Sequence, residues 1–219
     1  MPCAVLFDWD GTLADTRKVV VATFQSVVRD MGISIPAEFI ERRIGTGAKR
    51  TSEEIFQEAK KPYDETLIRR LLAKKIETEI SMNDSVKLFH GAKKLLTSLK
   101  KRTRVALASM NNRPVIEHLL DTMKIGHLFE VVLTVEEVSK FKPDPEIFLK
   151  CATKLQCNPK DCVVVEDSIF GVQAAKAAGM SCVAVLTGVY SRKELEVAKP
   201  GLIVESLAEK EQIFNFIFR

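Results

Sequence analysis

An apolar strand runs straight into two aspartates one residue apart: Val5-Leu6-Phe7-Asp8-Trp9-Asp10-Gly11-Thr12-Leu13-Ala14-Asp15-Thr16. Two carboxylates about 4 Å apart at an effective dielectric near 20 repel by roughly 4 kcal/mol. A shared proton, a lysine or a divalent cation must offset that repulsion, which makes the segment a candidate active site. Further along, polar groups again follow apolar runs. Ser109 leads into Met110, Asn111 and Asn112; Lys142 sits in Lys140-Phe141-Lys142-Pro143-Asp144-Pro145-Glu146-Ile147-Phe148; and Cys162-Val163-Val164-Val165 ends in Glu166-Asp167-Ser168. A carboxylate nucleophile divides one hard displacement into two easier ones. A second carboxylate can move the proton, and converging carboxylates suit a hard cation with oxygen ligands, Mg²⁺ above all.

The elements that position these groups follow from hydrophobic pattern. A strand is predicted at 3–7, then nothing strand-like until about 103. Between them Val20, Phe24, Val27, Val28 and Met31 recur at helical spacing and Gly32 stops the helix. Further helices are predicted over 52–60 and 64–80, the latter with a stripe of Leu67, Ile68, Leu71, Leu72 and Ile76. Residues 16–85 read as a small helical bundle. From 86 onward helices (91–101, 145–156, 170–178, 206–217, and one opening near Asn112 and Pro114) alternate with strands (103–109, 130–134, 162–165, 182–186, 202–204). That rhythm predicts an α/β fold, a Rossmann-like parallel sheet with helices on both faces. In such sheets ligands sit beyond the carboxyl ends of the strands, where all four polar clusters fall. Asp144 and Ser168 also read as helix caps, and Asp15 as a turn residue.

Taken in order, D-x-D-G-T-L-x-D-T, the serine after a strand, the lysine of K-P-D-P-E-I-F and the acidic pair of V-E-D-S-x-x-G-V resemble the four signatures of the haloacid dehalogenase (HAD) superfamily over the whole chain. The resemblance implies a catalytic core at 1–15 and 86–219 and a type-1 helical cap at 16–85. It implies Asp8 as nucleophile and Asp10 as general acid and base. Mg²⁺ would be held by the Asp8 side chain, the Asp10 backbone carbonyl and Asp167, with Glu166 bound directly or through water. Ser109 and Lys142 would hold the phosphoryl oxygens, and Thr12 and the backbone N–H groups around Met110 and Asn111 would add donors. The turn Gly45-Thr46-Gly47 lacks a third glycine and a preceding strand, so it is no dinucleotide fingerprint. As a cap turn it can overhang the site, with Gly47, Lys49 and Arg50 as candidates for reading the rest of the substrate.

Within the superfamily, Asp10 argues against dehalogenases and phosphonoacetaldehyde hydrolases. β-Phosphoglucomutases carry a histidine four residues after the D-T pair; here that position is Val20. The expectation is an Mg²⁺-dependent phosphatase acting on a small phosphorylated metabolite through an aspartyl-phosphate. A phosphomutase is the alternative, and a catalytically silent HAD-like binding protein the alternative of another class. Phosphoglycolate, a sugar phosphate, a nucleotide and pyrophosphate all stay open.

Composition bounds the rest. The 219 residues carry 46% hydrophobic residues and a net charge of +4, a mild excess that steers anions without the aromatic interleaving of a nucleic-acid platform. No apolar run approaches a membrane span, so neither nucleic acid nor membrane is an expected partner. Five cysteines without a C-x-x-C pair (Cys3, Cys151, Cys157, Cys162, Cys182) read as reduced, buried thiols of a cytoplasmic protein. The tail Ile213–Phe218 serves either core packing or a dimer face, leaving monomer and homodimer both open.

Overall fold

The computed structural model describes residues 2–219. Its centre is a six-stranded parallel sheet, built from β1 (Ala4–Phe7), β4 (Arg104–Ala108), β5 (Val131–Leu133), β6 (Cys162–Glu166), β7 (Ser181–Val185) and β8 (Leu202–Val204). The strand order is β5-β4-β1-β6-β7-β8. β1 lies in the middle, in register with β4 through Phe7↔Leu107 and with β6 through Phe7↔Val165. Period-two alternation sends Val5 and Phe7 to one face and Ala4 and Leu6 to the other. The first face packs on Leu95, Leu119 and Ile213 from α5 (Ala92–Lys100), α6 (Arg113–Thr122) and α10 (Lys210–Ile217). The second packs on Ile147, Val172 and Leu195 from α7 (Glu146–Lys154), α8 (Ile169–Ala177) and α9 (Arg192–Ala198). The sheet is thus covered on both sides, as the near-continuous apolar strands require.

The helical insert comprises α1 (Arg17–Arg29), α2 (Ala37–Glu41), α3 (Ala48–Glu58) and α4 (Glu65–Met82). Val20, Phe24, Val27, Ile55, Ile68 and Leu71 form an apolar cluster of their own there. Gly32 at φ +65° takes the left-handed turn after α1, and the Asp64 carboxylate accepts the Leu67 N–H at 2.7 Å to cap α4.

Three features depart from the sequence expectation. First, the stretch before residue 103 does contain strands. β2 (Ala14–Asp15) and β3 (Lys87–Leu88) pair antiparallel where the chain leaves for the insert and returns from it; two-residue strands are too short to show a period. Second, α2 and α9 were not anticipated, although α9 carries a capping box in which Ser191 and Glu194 bond reciprocally. Third, Cys3 and Cys157 form a disulfide with Cα atoms 5.8 Å apart, while Cys151, Cys162 and Cys182 are free and buried. The parallel sheet brings the start of β1 beside the loop after α7, a proximity that 154 intervening residues hide. The expectation of five reduced thiols is therefore corrected, and with it goes the thiol argument for a reducing compartment. Among the described residues no helix is long and apolar enough to cross a membrane.

Candidate active site

The polar groups at the strand ends converge. The Asp8 N–H bonds Val165 O at 3.0 Å, carrying the ladder one residue past β1 and fixing the carboxylate above the middle of the sheet. The Lys142 ammonium is fully buried. It donates to Asp8 Oδ1 at 2.7 Å, Glu166 Oε1 at 2.8 Å and Ala108 O at 3.3 Å, which uses all three of its protons. Burial alone would lower its pKa, but the carboxylates of Asp8 and Glu166 outweigh that and hold it above the usual lysine value. Lys142 is therefore a permanent cation between two carboxylates.

Glu166 is saturated. Its second oxygen accepts the Asp167 N–H at 2.8 Å, the Ser168 N–H at 2.7 Å and the Ser168 hydroxyl at 2.9 Å. The carboxylate packs where a side chain at position 171 would otherwise lie: a Cβ on Gly171 would sit 1.8 Å from it. This explains the glycine of E-D-S-x-x-G. Ser168 also caps α8 by accepting the Gly171 N–H at 3.0 Å.

Asp8, Glu166 and Asp167 each bring a carboxylate oxygen within 4.8 Å of the others. Burial first, then the neighbouring carboxylates, push the Asp8 carboxyl up to about 7 against the pull of Lys142. The same causes raise Asp167 well above the ordinary carboxylate range. Asp8 Oδ2 is buried with no hydrogen-bond partner. Gly11 and Gly188 wall the Asp167 carboxylate: a Cβ on either would come within 2.3 and 1.9 Å of Oδ2. An orphaned buried oxygen beside a second carboxylate, in a cradle that tolerates no added carbon, fits a small hard cation.

Asp10 belongs to a second polar cluster. Its Oδ1 accepts the Thr16 hydroxyl at 2.7 Å and, at 3.5 Å, the Asn111 amide. Asn111 in turn donates to Glu79 Oε1 at 2.8 Å and accepts from the Lys75 ammonium at 2.8 Å. Lys75 and Glu79 also form an ion pair one turn apart on α4, both almost completely buried. Burial and then the charge of Glu79 push the Asp10 carboxyl up to about 6, opposed by the Thr16 hydrogen bond and Lys75. Lys75 and Glu79 went unread in the sequence. The available signal was their spacing: 68, 71, 75 and 79 continue one face of α4, so two charges occupy positions of the apolar stripe.

Other expected residues fall differently. The Thr12 hydroxyl donates to Asp167 Oδ1 at 2.9 Å, so its one proton is committed to a carboxylate and not to a phosphoryl oxygen. Ser109 is buried where β4 ends, and its Oγ accepts the Asn111 N–H at 3.0 Å, which engages that backbone donor and leaves the hydroxyl proton of Ser109 uncommitted. Met110, Asn111 and Gly47 line a cavity of about 30 Å³ together with Asp10 and Val20. Lys49 and Arg50 do not line it. Lys49 pairs with Glu65 at 3.1 Å, and Arg50 pairs with Glu54 at 2.8 Å and lies over the Phe170 ring of α8. The phase of α3 presents Thr51 to the cavity instead, and Arg43 from the turn after α2 and Lys75 from α4 complete that wall.

A family model described as haloacid dehalogenase-like hydrolase matches residues 5–185. The chain belongs to that hydrolase family. It is similar to a phosphoglycolate phosphatase of Pseudomonas aeruginosa, 30% identical over 95% of this chain and 78% of the relative. It is also similar to a fructose-1-phosphate phosphatase of Escherichia coli, 29% identical over 83% and 95%. Among solved structures, a β-phosphoglucomutase from Clostridium difficile superposes with a TM-score of 0.88 at 26% identity, covering the whole of both chains. Family membership makes this HAD chain an enzyme, and the relatives named here act on phosphate esters by name.

Proposed function

We propose that the protein is an Mg²⁺-dependent phosphatase of small phosphorylated metabolites, acting through an aspartyl-phosphate on Asp8. The observation that carries this reading is the state of Asp8: one oxygen is clamped by Lys142, and the other is buried without a donor beside Asp167. A carboxylate so placed has an outlet only toward a cation and a phosphoryl group. Asp8 and Asp167 would hold the ion, with the Asp10 backbone carbonyl; Glu166, its oxygens taken, would contribute through water. When bound, Mg²⁺ neutralises the converging carboxylates and the charge on the phosphoryl oxygens.

The chain's own residues supply the rest. An Asp8 oxygen attacks phosphorus and the bond to the ester oxygen breaks. Asp10, raised to about 6, gives that leaving oxygen its proton. It then takes a proton from the water that attacks phosphorus, which frees inorganic phosphate and restores Asp8. Lys142 keeps Asp8 ionised and oriented while the phosphoryl charge develops. Residues 16–85 act as a lid over the core formed by 1–15 and 86–219, excluding bulk water when closed. Val20 lines the cavity where a hydrogen-bonding gate for a second sugar hydroxyl would be needed, which favours water as acceptor.

The test is phosphate release from p-nitrophenyl phosphate with and without Mg²⁺, with Asp8→Asn as control. Activity indifferent to EDTA or to that substitution overturns the mechanism. An isomerised sugar phosphate formed without free phosphate would replace it with a phosphomutase.

A further inference from the structure

The cavity beside Asp10 has two cations on its wall, Arg43 and Lys75, and among the described residues Asp10 is the one carboxylate that lines it. The carboxylates that answer the cations stand behind the wall. Glu79 answers Lys75 one for one, as its partner on α4. Glu54 cannot do the same for Arg43, because it is shared. One of its oxygens takes Arg43 Nε and the other takes Arg50 Nε at 2.8 Å. Two guanidiniums around one carboxylate leave a net positive charge, and of the two arginines it is Arg43 that lines the cavity.

Arg43 also has donors to spare. A guanidinium carries five N–H groups. Here Nε is given to Glu54 and one proton of Nη1 to Phe39 O at 2.7 Å; among the described residues nothing takes the other Nη1 proton or either proton of Nη2. The same contacts hold the head in place, and its Cζ lies 3.4 Å from the centre of the Phe39 ring. An anion that docks there does not first have to order a loose side chain, which removes part of the usual entropic cost of an ion pair. Val20, Phe24, Ile44 and Met110 add apolar wall, and such surroundings strengthen a charge-assisted hydrogen bond. The other donors on the wall are engaged: the Thr51 hydroxyl gives its proton to Gly47 O at 3.1 Å, and the Asn111 amide bonds Glu79 and Asp10. At about 30 Å³, the cavity takes only a few heavy atoms, enough for a carboxylate and too little for a sugar ring.

We infer that Arg43 binds a second anionic group at the far end of the substrate, so that the protein takes phosphomonoesters of short hydroxycarboxylic acids ahead of those of uncharged alcohols of the same length. This rests on the phosphatase reading and deepens it. Arg43 is a binding residue for a group that does not react, while Asp8 and Asp10 work at the phosphoryl end. Its signature is a change in substrate ranking, which mere loss of folded protein does not produce.

The experiment compares kcat/KM for phosphoglycolate and 2-hydroxyethyl phosphate on the full chain with Mg²⁺. The two esters have the same two-carbon stem and differ only at the far carbon, a carboxylate in one and an alcohol in the other. The wild type is expected to favour phosphoglycolate by about tenfold, the margin of a hydrogen bond between charged groups over one to a neutral hydroxyl. Arg43→Met should bring the ratio close to unity, with the loss falling on KM more than on kcat because the carboxylate is unchanged by the reaction. Glu54→Gln, which strips the shared carboxylate from both arginines, should move the ratio the opposite way. A wild type that favours phosphoglycolate by less than about threefold, or turns over neither ester, overturns the inference with no variant needed, as does an Arg43→Met ratio within about twofold of wild type. Any of these results with p-nitrophenyl phosphate still hydrolysed removes the role of Arg43 alone; a chain inert toward that ester as well takes the phosphatase reading down with it.

Discussion

The molecule buries two lysines among carboxylates, and the two clusters are built on opposite plans. Lys142 is shared between Asp8 and Glu166, which come from different strands 134 and 24 residues away. Its charges are distributed over the whole sheet and separate only if the core unfolds. Lys75 has its counter-charge four residues on along the same helix. That pair rides on α4 as one neutral unit, joined to the loop after β4 through the Asn111 side chain. Detaching it bares no lone charge. A fixed centre and a releasable contact thus use the same residue types, and the sequence distance between the partners separates them.

The comparison can be broken at several points. Asp8→Asn should lower turnover by about 10⁴-fold or more with the fold intact, as loss of a nucleophile does; near-normal phosphate release would end the argument. Lys142→Met leaves two buried carboxylates unpaired and should cost about 3–5 kcal/mol in urea unfolding, in addition to activity. The metal-free protein should lose thermal stability as pH rises. Asp8 and Asp10 are raised to about 7 and about 6 from 3.8, so between about pH 4 and about pH 7 the folded chain binds more protons than the unfolded one. Their contribution is fully present below the ordinary value and is lost as pH climbs through the raised ones. Tm should therefore fall by several degrees from about pH 5 to about pH 7.5, and Mg²⁺ should flatten the slope. A metal-free Tm that rises over that window contradicts the assigned environment.

Smaller effects probe the releasable contact. Asn111→Ala cuts the bridge between the insert and the loop after β4 and should reduce kcat/KM by about tenfold, judged from one lost buried hydrogen-bonding group. Lys75→Met with Glu79→Leu removes both charges together. Because replacing a buried pair by apolar groups is often neutral, the double variant should stay within about 1 kcal/mol of wild type in urea, whereas Lys75→Met alone should not. Equal losses in single and double variants would show that the pair is not an autonomous unit.

The fixed centre was legible because Asp8, Ser109, Glu166 and Asp167 follow apolar runs whose ends a parallel sheet gathers, and because Lys142, nine residues past β5, sits in a signature of its own. The four strand-end residues needed only that rule and the signatures around them. The releasable contact was illegible for the converse reason. Lys75 and Glu79 sit inside an ordinary amphipathic helix, and nothing local says that its charged positions face inward. Lys49 and Arg50 stand next to a glycine turn, yet Thr51 on the same helix and Arg43 in the turn before it line the cavity, because the phase of α3 and the fold of a loop without a motif decide that placement. Gly188, whose missing side chain leaves room for the Asp167 carboxylate, lies 21 residues beyond it on another loop and carried no motif. The Cys3–Cys157 bond was hidden by the same kind of distance.

The two-residue ladder of β2 and β3 has a broader implication. The outgoing and returning chains cross the boundary side by side, Ala14 opposite Leu88 and Asp15 opposite Lys87, with paired Cα atoms about 5 Å apart as in any antiparallel ladder. A short turn could bridge that gap. Residues can therefore be added or removed between the two crossings without disturbing the register of the six-stranded sheet, so the helical insert could be exchanged as a unit while the carboxylates at the strand ends keep their places.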